Sequence, residues 1–300
     1  LMLMLLPISG MAASEVYLIS SGSAPYYERV AKVFTDELLA RLPSVKIHRR
    51  DVHNAAVVPG AVLVTIGSEA TVLAINNHPR EDILSLLLPM AAWRDLNMTD
   101  AAAGRRAAVV IDQPFERALI LGKLLKPGAR KFGAVFGPAA QVTRSDSLER
   151  ASRIGIEVVW ADLSPADNPI SVLTPVVQQA DIFVAVPGRA VFNRNTAKWV
   201  LHLGFRQQIP VIGFSKSYTD AGALASVYSS PENIGRHGAE LLADLLGAGS
   251  KRGGDDQWRA HYPRYYTLSA NSEVARLLDI TLPSPTELYR MYSDALQSVQ

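Results

Sequence analysis

The sequence predicts an α/β protein with two doubly wound, Rossmann-like lobes, each built on its own parallel sheet. From Glu15 onward, short β-branched runs alternate with longer amphipathic stretches, the order that βαβ units impose. About ten strand-like runs occur, whereas a single sheet of this kind holds about five or six strands. The 300 residues suffice for two cores at about 150 residues per domain.

The run VYLIS at 16–20 opens the first set of strands, and an amphipathic stretch at 26–42 follows a turn rich in Ser and Gly. Strand patterns at 45–49, 61–66, 83–88 and 107–111 complete that set. The runs at 61–66 and 83–88 are almost continuously apolar, as expected when helices cover both faces of a parallel sheet. A helix starts after Gly67. The second set has strands at 131–136, 157–160, 181–186, 210–214 and 223–228, with helical patterns at 114–125, 145–154, 170–179 and 194–207. A helix at 231–246, a glycine-rich surface loop at 247–256 and an amphipathic terminal helix within 283–298 follow. Gly67, Gly137, Gly188 and Gly213 stand at or near strand carboxyl ends, where doubly wound folds place ligands. Each glycine equally suits a tight strand-to-helix turn.

Composition excludes several functions. Charged residues make up 19% and apolar residues 48% of the chain, a balance that argues against disorder and against a coiled coil. A net charge of +2, with no basic block beyond Arg49-Arg50 and Lys251-Arg252, leaves no footprint for a nucleic-acid backbone. The chain has no Cys, so disulfides, thiolate metal sites and cysteine nucleophiles are absent. The leading run LMLMLLPISGMAA is too short to span a bilayer and ends in small residues, as a secretory signal peptide does. A first buried strand or helix is the alternative. With no Cys to carry a lipid, the expectation is a periplasmic, soluble protein that is not membrane-anchored and acts as a monomer.

The sequence holds no recognisable catalytic constellation. Gly213-Phe214-Ser215-Lys216-Ser217 follows a nucleophile elbow only to its fourth residue, and adjacent Ser215 and Lys216 rarely face each other after a strand. No phosphate-binding loop occurs; His48 and His53 are read as a solvated strand end, and the carboxylates are scattered. Neither a cofactor nor a metal is expected. Binding geometry remains. Gly67-Ser68-Glu69-Ala70-Thr71 joins a buried strand to a helix start, whose amides suit a ligand carboxylate; an ordinary helix capped by Ser68 or Thr71 is the alternative. The loop Ser20 to Tyr27, with Ser21, Ser23 and Tyr26, offers hydroxyls and aromatic rings to a ligand, or serves only as a turn followed by core tyrosines.

In the second half, IPVIGFSKSY at 209–218, AGALASVYS at 221–229 and Ile234-Gly235-Arg236 stand in an order that resembles the ABC-transporter substrate-binding proteins of the type I periplasmic-binding-protein fold. The segment IGSEA at 66–70 is similar to that family's strand-Gly-helix start, and SANSEVARLLDITLP at 269–283 to its closing pattern, with Asp279 where Gly is usual. The resemblance spans 15–284 and implies two lobes joined by a three-stranded hinge: 14–113 with 230–260, then 114–229 with 261–284, preceded by a leader remnant at 1–13 and followed by a helix at 285–300. It also implies ligand contacts at Ser21, Ser23, Tyr26, Gly67, Ser68, Glu69, Ala70, Thr71, Asp112, Gln113, Gly188, Arg189, Phe192, Phe214 and Tyr218. Arg189 stands where the family often has a polar loop able to hold an amino group, which turns the expectation toward an anionic or aromatic solute. The implied function is capture of an amino acid or an aromatic or anionic solute by hinge closure, for an inner-membrane ABC permease. Two alternatives are a periplasmic sensor or accessory protein reporting to a membrane kinase or receptor, and a serine hydrolase using Ser215.

Overall fold

The computed structural model describes residues 14–53, 56–96, 103–188, 194–247 and 257–299. The chain begins with β1 (Glu15–Ser20), α1 (Pro25–Arg41), β2 (Lys46–Asp51), β3 (Val62–Ile66), α2 (Ser68–Asn77), β4 (Asp82–Leu88), α3 (Met90–Asp95) and β5 (Arg106–Val110). It continues through α4 (Phe115–Leu125), β6 (Lys131–Phe136), α5 (Pro138–Arg153), β7 (Glu157–Asp162), α6 (Pro169–Gln178), β8 (Ile182–Val184), α7 (Arg194–Arg206), β9 (Val211–Gly213), α8 (Lys216–Asp220) and β10 (Ala225–Tyr228). Then follow α9 (Pro231–Gly247), β11 (Ala260–His261), β12 (Thr267–Ala270), α10 (Ser272–Leu277) and α11 (Pro285–Gln297). Two compact units result: residues up to Ile111 with Pro231–His261, and Asp112–Ser230 with Tyr262 onward. The chain therefore passes between units three times.

The first unit holds a six-stranded sheet in the order β11-β5-β4-β3-β1-β2, parallel throughout. Alternation along β1 explains why both faces are apolar: Val16 and Leu18 join Phe34, Leu38 and Leu242 of α1 and α9, whereas Tyr17 and Ile19 join Ala70 and Ala74 of α2. Each large apolar side chain fully buried in this way contributes roughly 1.5–3 kcal/mol. The second unit repeats the plan in the order β12-β10-β9-β8-β6-β7, with β12 antiparallel to β10. One face packs on Leu119, Leu121 and Leu125 of α4 and on Leu288 and Tyr292 of α11; the other packs on α6 and α7. The terminal helix is thus part of this unit's core.

All ten expected strands are present, with ends shifted by a few residues. β8 and β9 are shorter than expected, since only Ile182–Val184 and Val211–Gly213 keep ladder bonds. The helix expected at 145–154 begins earlier, at Pro138, because a proline in the first turn is already set for helix and needs no N–H partner. The short elements α3, α8, α10, β11 and β12 escaped prediction because two to six residues cannot show a period. Asp279, just beyond α10, has φ 53, the left-handed cap conformation for which glycine is usual. No helix among the described residues is long and apolar enough to cross a membrane. The leader at 1–13 and the greater part of the loop at 247–256 lie outside the described residues.

Candidate functional site

In both sheets the strand order reverses beside the first strand of the unit, between β1 and β3 and between β6 and β8. Ligands of doubly wound folds sit at such switch points, outside the strand carboxyl ends.

At the first switch point the loop after β1 and the turn after β3 are bonded together. Ser21 N donates to the Ile66 carbonyl at 2.9 Å, and Ser21 Oγ accepts from Ala70 N at 2.8 Å. The cap of α2 is therefore supplied by Ser21, 49 positions away in sequence. Ser68 and Thr71 do not fill that role, because the N-cap position is Gly67, which has no side chain to offer. Gly67 has φ 95 and ψ 163, a region essentially reserved for glycine. A Cβ there would lie 2.6 Å from Ser21 Oγ and 3.0 Å from the Tyr27 ring. Gly67 N donates to Leu86 O at 2.8 Å, next to a break in the β4–β5 register where Leu87 takes φ 59. That bulge is a feature without a sequence signature.

Ser68 and Glu69 are exposed in the first turn of α2, where amides lack acceptors from a preceding turn. Glu69 places a negative charge at the positive end of the helix. Ala70 is buried and supplies a backbone amide. Thr71 is fully buried, and its hydroxyl bonds the Gly67 carbonyl at 3.0 Å and Thr65 Oγ1 at 2.8 Å, with Ser85 next in the chain of hydroxyls. Thr71 holds the turn from beneath. Ser23 is exposed in the loop, whose turn is shaped by Ser20 Oγ donating to Gly22 O at 2.7 Å. Tyr26 is 40% exposed, with its ring 4.3 Å from that of Tyr27; partial burial and the bond with Tyr27 push its phenol pKa up. The structure thus brings Ser21, Tyr26, Gly67, Ser68, Glu69 and Ala70 to one end of one sheet.

In the second unit, Gly137 opens α5, while Gly188 is half-buried in the loop after β8. Phe214 is half-buried, with its ring 4.8 Å from that of Tyr218, and burial raises the Tyr218 phenol pKa. Gly213 is packed so closely that a Cβ would sit 2.5 Å from Ser226 Oγ and from Tyr218 Cβ. Arg189 and Phe192 lie outside the described residues. Ser215 is the N-cap of α8 and accepts from Tyr218 N at 3.3 Å. Lys216 holds both oxygens of Asp220 at 2.7 and 2.8 Å, and that bond raises its pKa. The Lys216 ammonium is thus engaged with Asp220 and the Ser215 oxygen with the Tyr218 amide, and no bond joins the two side chains as a nucleophile–base pair would require.

Asp112 and Gln113 stand at the first crossing and are half-buried. Both ends of the Gln113 amide are committed: Nε2 donates to Ser229 Oγ at 2.8 Å, and Oε1 accepts from Arg117 Nη1 at 2.6 Å. Arg117 carries no motif, and Ser229 closes the run AGALASVYS without any sign there of a bond to Gln113. Among the described residues, no three His, Asp or Glu side chains cluster as metal ligands would. His48 stacks on Tyr17 at 4.9 Å and bonds Glu15 at 2.6 Å.

No known protein-family model matches this sequence, and none of the curated proteins compared with it does. Solved structures do match along nearly the whole chain. A substrate-binding protein with adhesive properties from Clostridium difficile, in a ligand-free open form, superposes with a TM-score of 0.67 at 15% identity, over 91% of this chain and 97% of that one. A domain from Streptococcus pneumonia in complex with L-Trp gives 0.58 at 15% identity, over 93% and 98%. An amino acid ABC transporter substrate-binding protein from Pseudomonas fluorescens gives 0.54 at 12% identity, over 91% and 97%. These likenesses establish the fold, two parallel-sheet units in the type I periplasmic-binding-protein arrangement.

Proposed function

We propose that this chain is a periplasmic solute-binding protein that captures a small molecule and delivers it to an inner-membrane ABC permease. The observation that carries the reading is the end-to-end likeness to substrate-binding proteins, 91% of this chain against 97% of the other. Solute contacts from the strand ends of both units exist together only in the closed state, so binding shifts the population toward closure, and closure is what a permease reads. No bond is made or broken.

The first unit's strand end favours a solute with a carboxylate and an ammonium group. The opening amides of α2 suit the carboxylate, and the exposed Glu69 beside them opposes a bare anion but pairs with an ammonium. The expected contacts from this unit are Ser21, Ser23, Tyr26, Ser68 and Glu69, because the Gly67 and Ala70 amides are spent on the Leu86 carbonyl and on Ser21 Oγ. Gly188, Arg189, Phe192, Phe214 and Tyr218 are the expected contacts from the other. A thermal-shift screen against amino acids, simple carboxylates and nucleosides tests this. Stabilisation by one or more amino acids, weakened in Glu69→Gln, is the expected result. A protein that shifts with none of them, and carries no solute through purification by mass spectrometry, refutes the reading.

A further inference from the structure

The three crossings between units are covalently separate tethers, and side chains in the second unit join them. Gln113 lies two residues beyond the first crossing, Ser229 just before the second, and Pro263 and Tyr265 just after the third. Gln113 Nε2 donates to Ser229 Oγ at 2.8 Å, and Ser229 Oγ donates its one proton to the Tyr265 carbonyl at 2.6 Å. Arg117 Nη1 bridges Gln113 Oε1 at 2.6 Å and the Pro263 carbonyl at 2.8 Å. Arginine can only donate, which fixes the orientation of the Gln113 amide and hence its donation to Ser229. Each crossing segment is thereby bonded to another.

The position of Arg117 argues for more than space filling. It lies in the first turn of α4, where a cation opposes the helix dipole, and burial lowers its pKa. Both effects are unfavourable and are tolerated only with good partners. The terminal helix backs the network: Tyr292 Oη donates to the Arg117 carbonyl at 2.9 Å, and the guanidinium lies 5.5 Å from the Tyr266 ring, itself edge-on to Tyr292 at 5.0 Å.

We propose that Gln113, Arg117 and Ser229 are positioning residues that lash the three crossing segments to the second unit, confining motion between units to the joints at 111–112, 230–231 and 261–262. Three loose tethers permit twisting as well as bending, whereas three tethers clamped in common restrict motion to bending. The latch narrows the range of open states without touching solute. Its value to solute capture rests on the solute-binding reading, but its test needs no solute.

The chain has no Cys, so a labelled pair at Leu39→Cys and Phe205→Cys, exposed by 40% and 47% and one in each unit, is free of background. Pulsed electron–electron resonance on the full chain then reads the distance distribution between units. Gln113→Leu and Ser229→Ala are expected to broaden it roughly 1.5-fold or more, while Ser229→Thr, which keeps the hydroxyl, restores the native width. Ser147→Ala, which removes a hydroxyl bonded within α5, is expected to leave the width unchanged. Should Gln113→Leu not fold, Ser229→Ala decides alone. Folded latch variants with native widths, or an equal broadening in Ser147→Ala, would overturn the proposal. A loss of melting temperature without broadening would do the same, since it marks a role in stability only.

Discussion

Gly67→Ala tests the switch-point geometry most directly. At φ 95 and ψ 163 an alanine occupies a region that costs about 1–3 kcal/mol for any residue with a Cβ. The new methyl also starts 2.6 Å from Ser21 Oγ, so Ser21 must turn away and its 2.8 Å bond from Ala70 N is lost, a further loss of about 1 kcal/mol. The expected sum is about 2–4 kcal/mol, or a fall of roughly 4–16 °C in the melting transition of the first unit at about 2–4 °C per kcal/mol. Ser21→Ala alone loses the capping bond and costs about 1 kcal/mol. Because that bond can be lost only once, the double variant is expected to fall short of additivity by about 1 kcal/mol. Thermal and denaturant unfolding of the four proteins closes the cycle. A Gly67→Ala protein that melts with the wild type, or strictly additive losses, would refute the reasoning.

Gly213→Ala places a methyl 2.5 Å from Ser226 Oγ and Tyr218 Cβ; overpacking of this kind costs about 1–3 kcal/mol, read as a lower denaturant midpoint. Thr71→Val keeps shape but takes one member from the hydroxyl chain of Thr65, Thr71 and Ser85, and a loss of about 1–3 kcal/mol in urea unfolding is expected. Asp181 accepts from Arg130 N at 2.7 Å and Lys131 N at 2.9 Å, and those backbone bonds lower its pKa. A lowered folded-state value means stability that is fully present above the usual carboxylate range and is lost as pH falls through the folded value. Melting temperatures of wild type and Asp181→Ala are therefore expected to differ at pH 7 and to draw together as pH falls below the usual carboxylate range; a gap of constant size at all pH values contradicts this.

Strong, long-period features were legible in the sequence. The ten strand patterns and the helices at 26–42 and 231–246 could be read because both faces of a parallel sheet, and one face of each covering helix, must be apolar. Gly67, Gly137 and Gly213 marked carboxyl ends of strands, since a tight strand-to-helix turn leaves little room for a side chain. The candidate site was less legible residue by residue. Thr71 carries the same hydroxyl as a ligand contact but spends it on Thr65 and the Gly67 carbonyl. Gln113 likewise spends its amide on Ser229 and Arg117. Hydrogen-bonding capacity is a property of a residue type, whereas its use depends on what lies within 3 Å.

What the sequence alone determined is the class and the doubling: strand-helix alternation, two sheets' worth of strands, and the glycines at their ends. These follow from local covalent and hydrophobic periodicity. What only the tertiary structure decided are the pairings between distant segments. Ser21 caps a helix 49 positions on, and Gln113 meets Ser229 across 116 positions. β11 returns after β10 to pair with β5 in the first unit's sheet. Such contacts arise because packing helices and loops onto each sheet buries polar groups far apart in sequence, and each must find its partner wherever the fold brings one within reach.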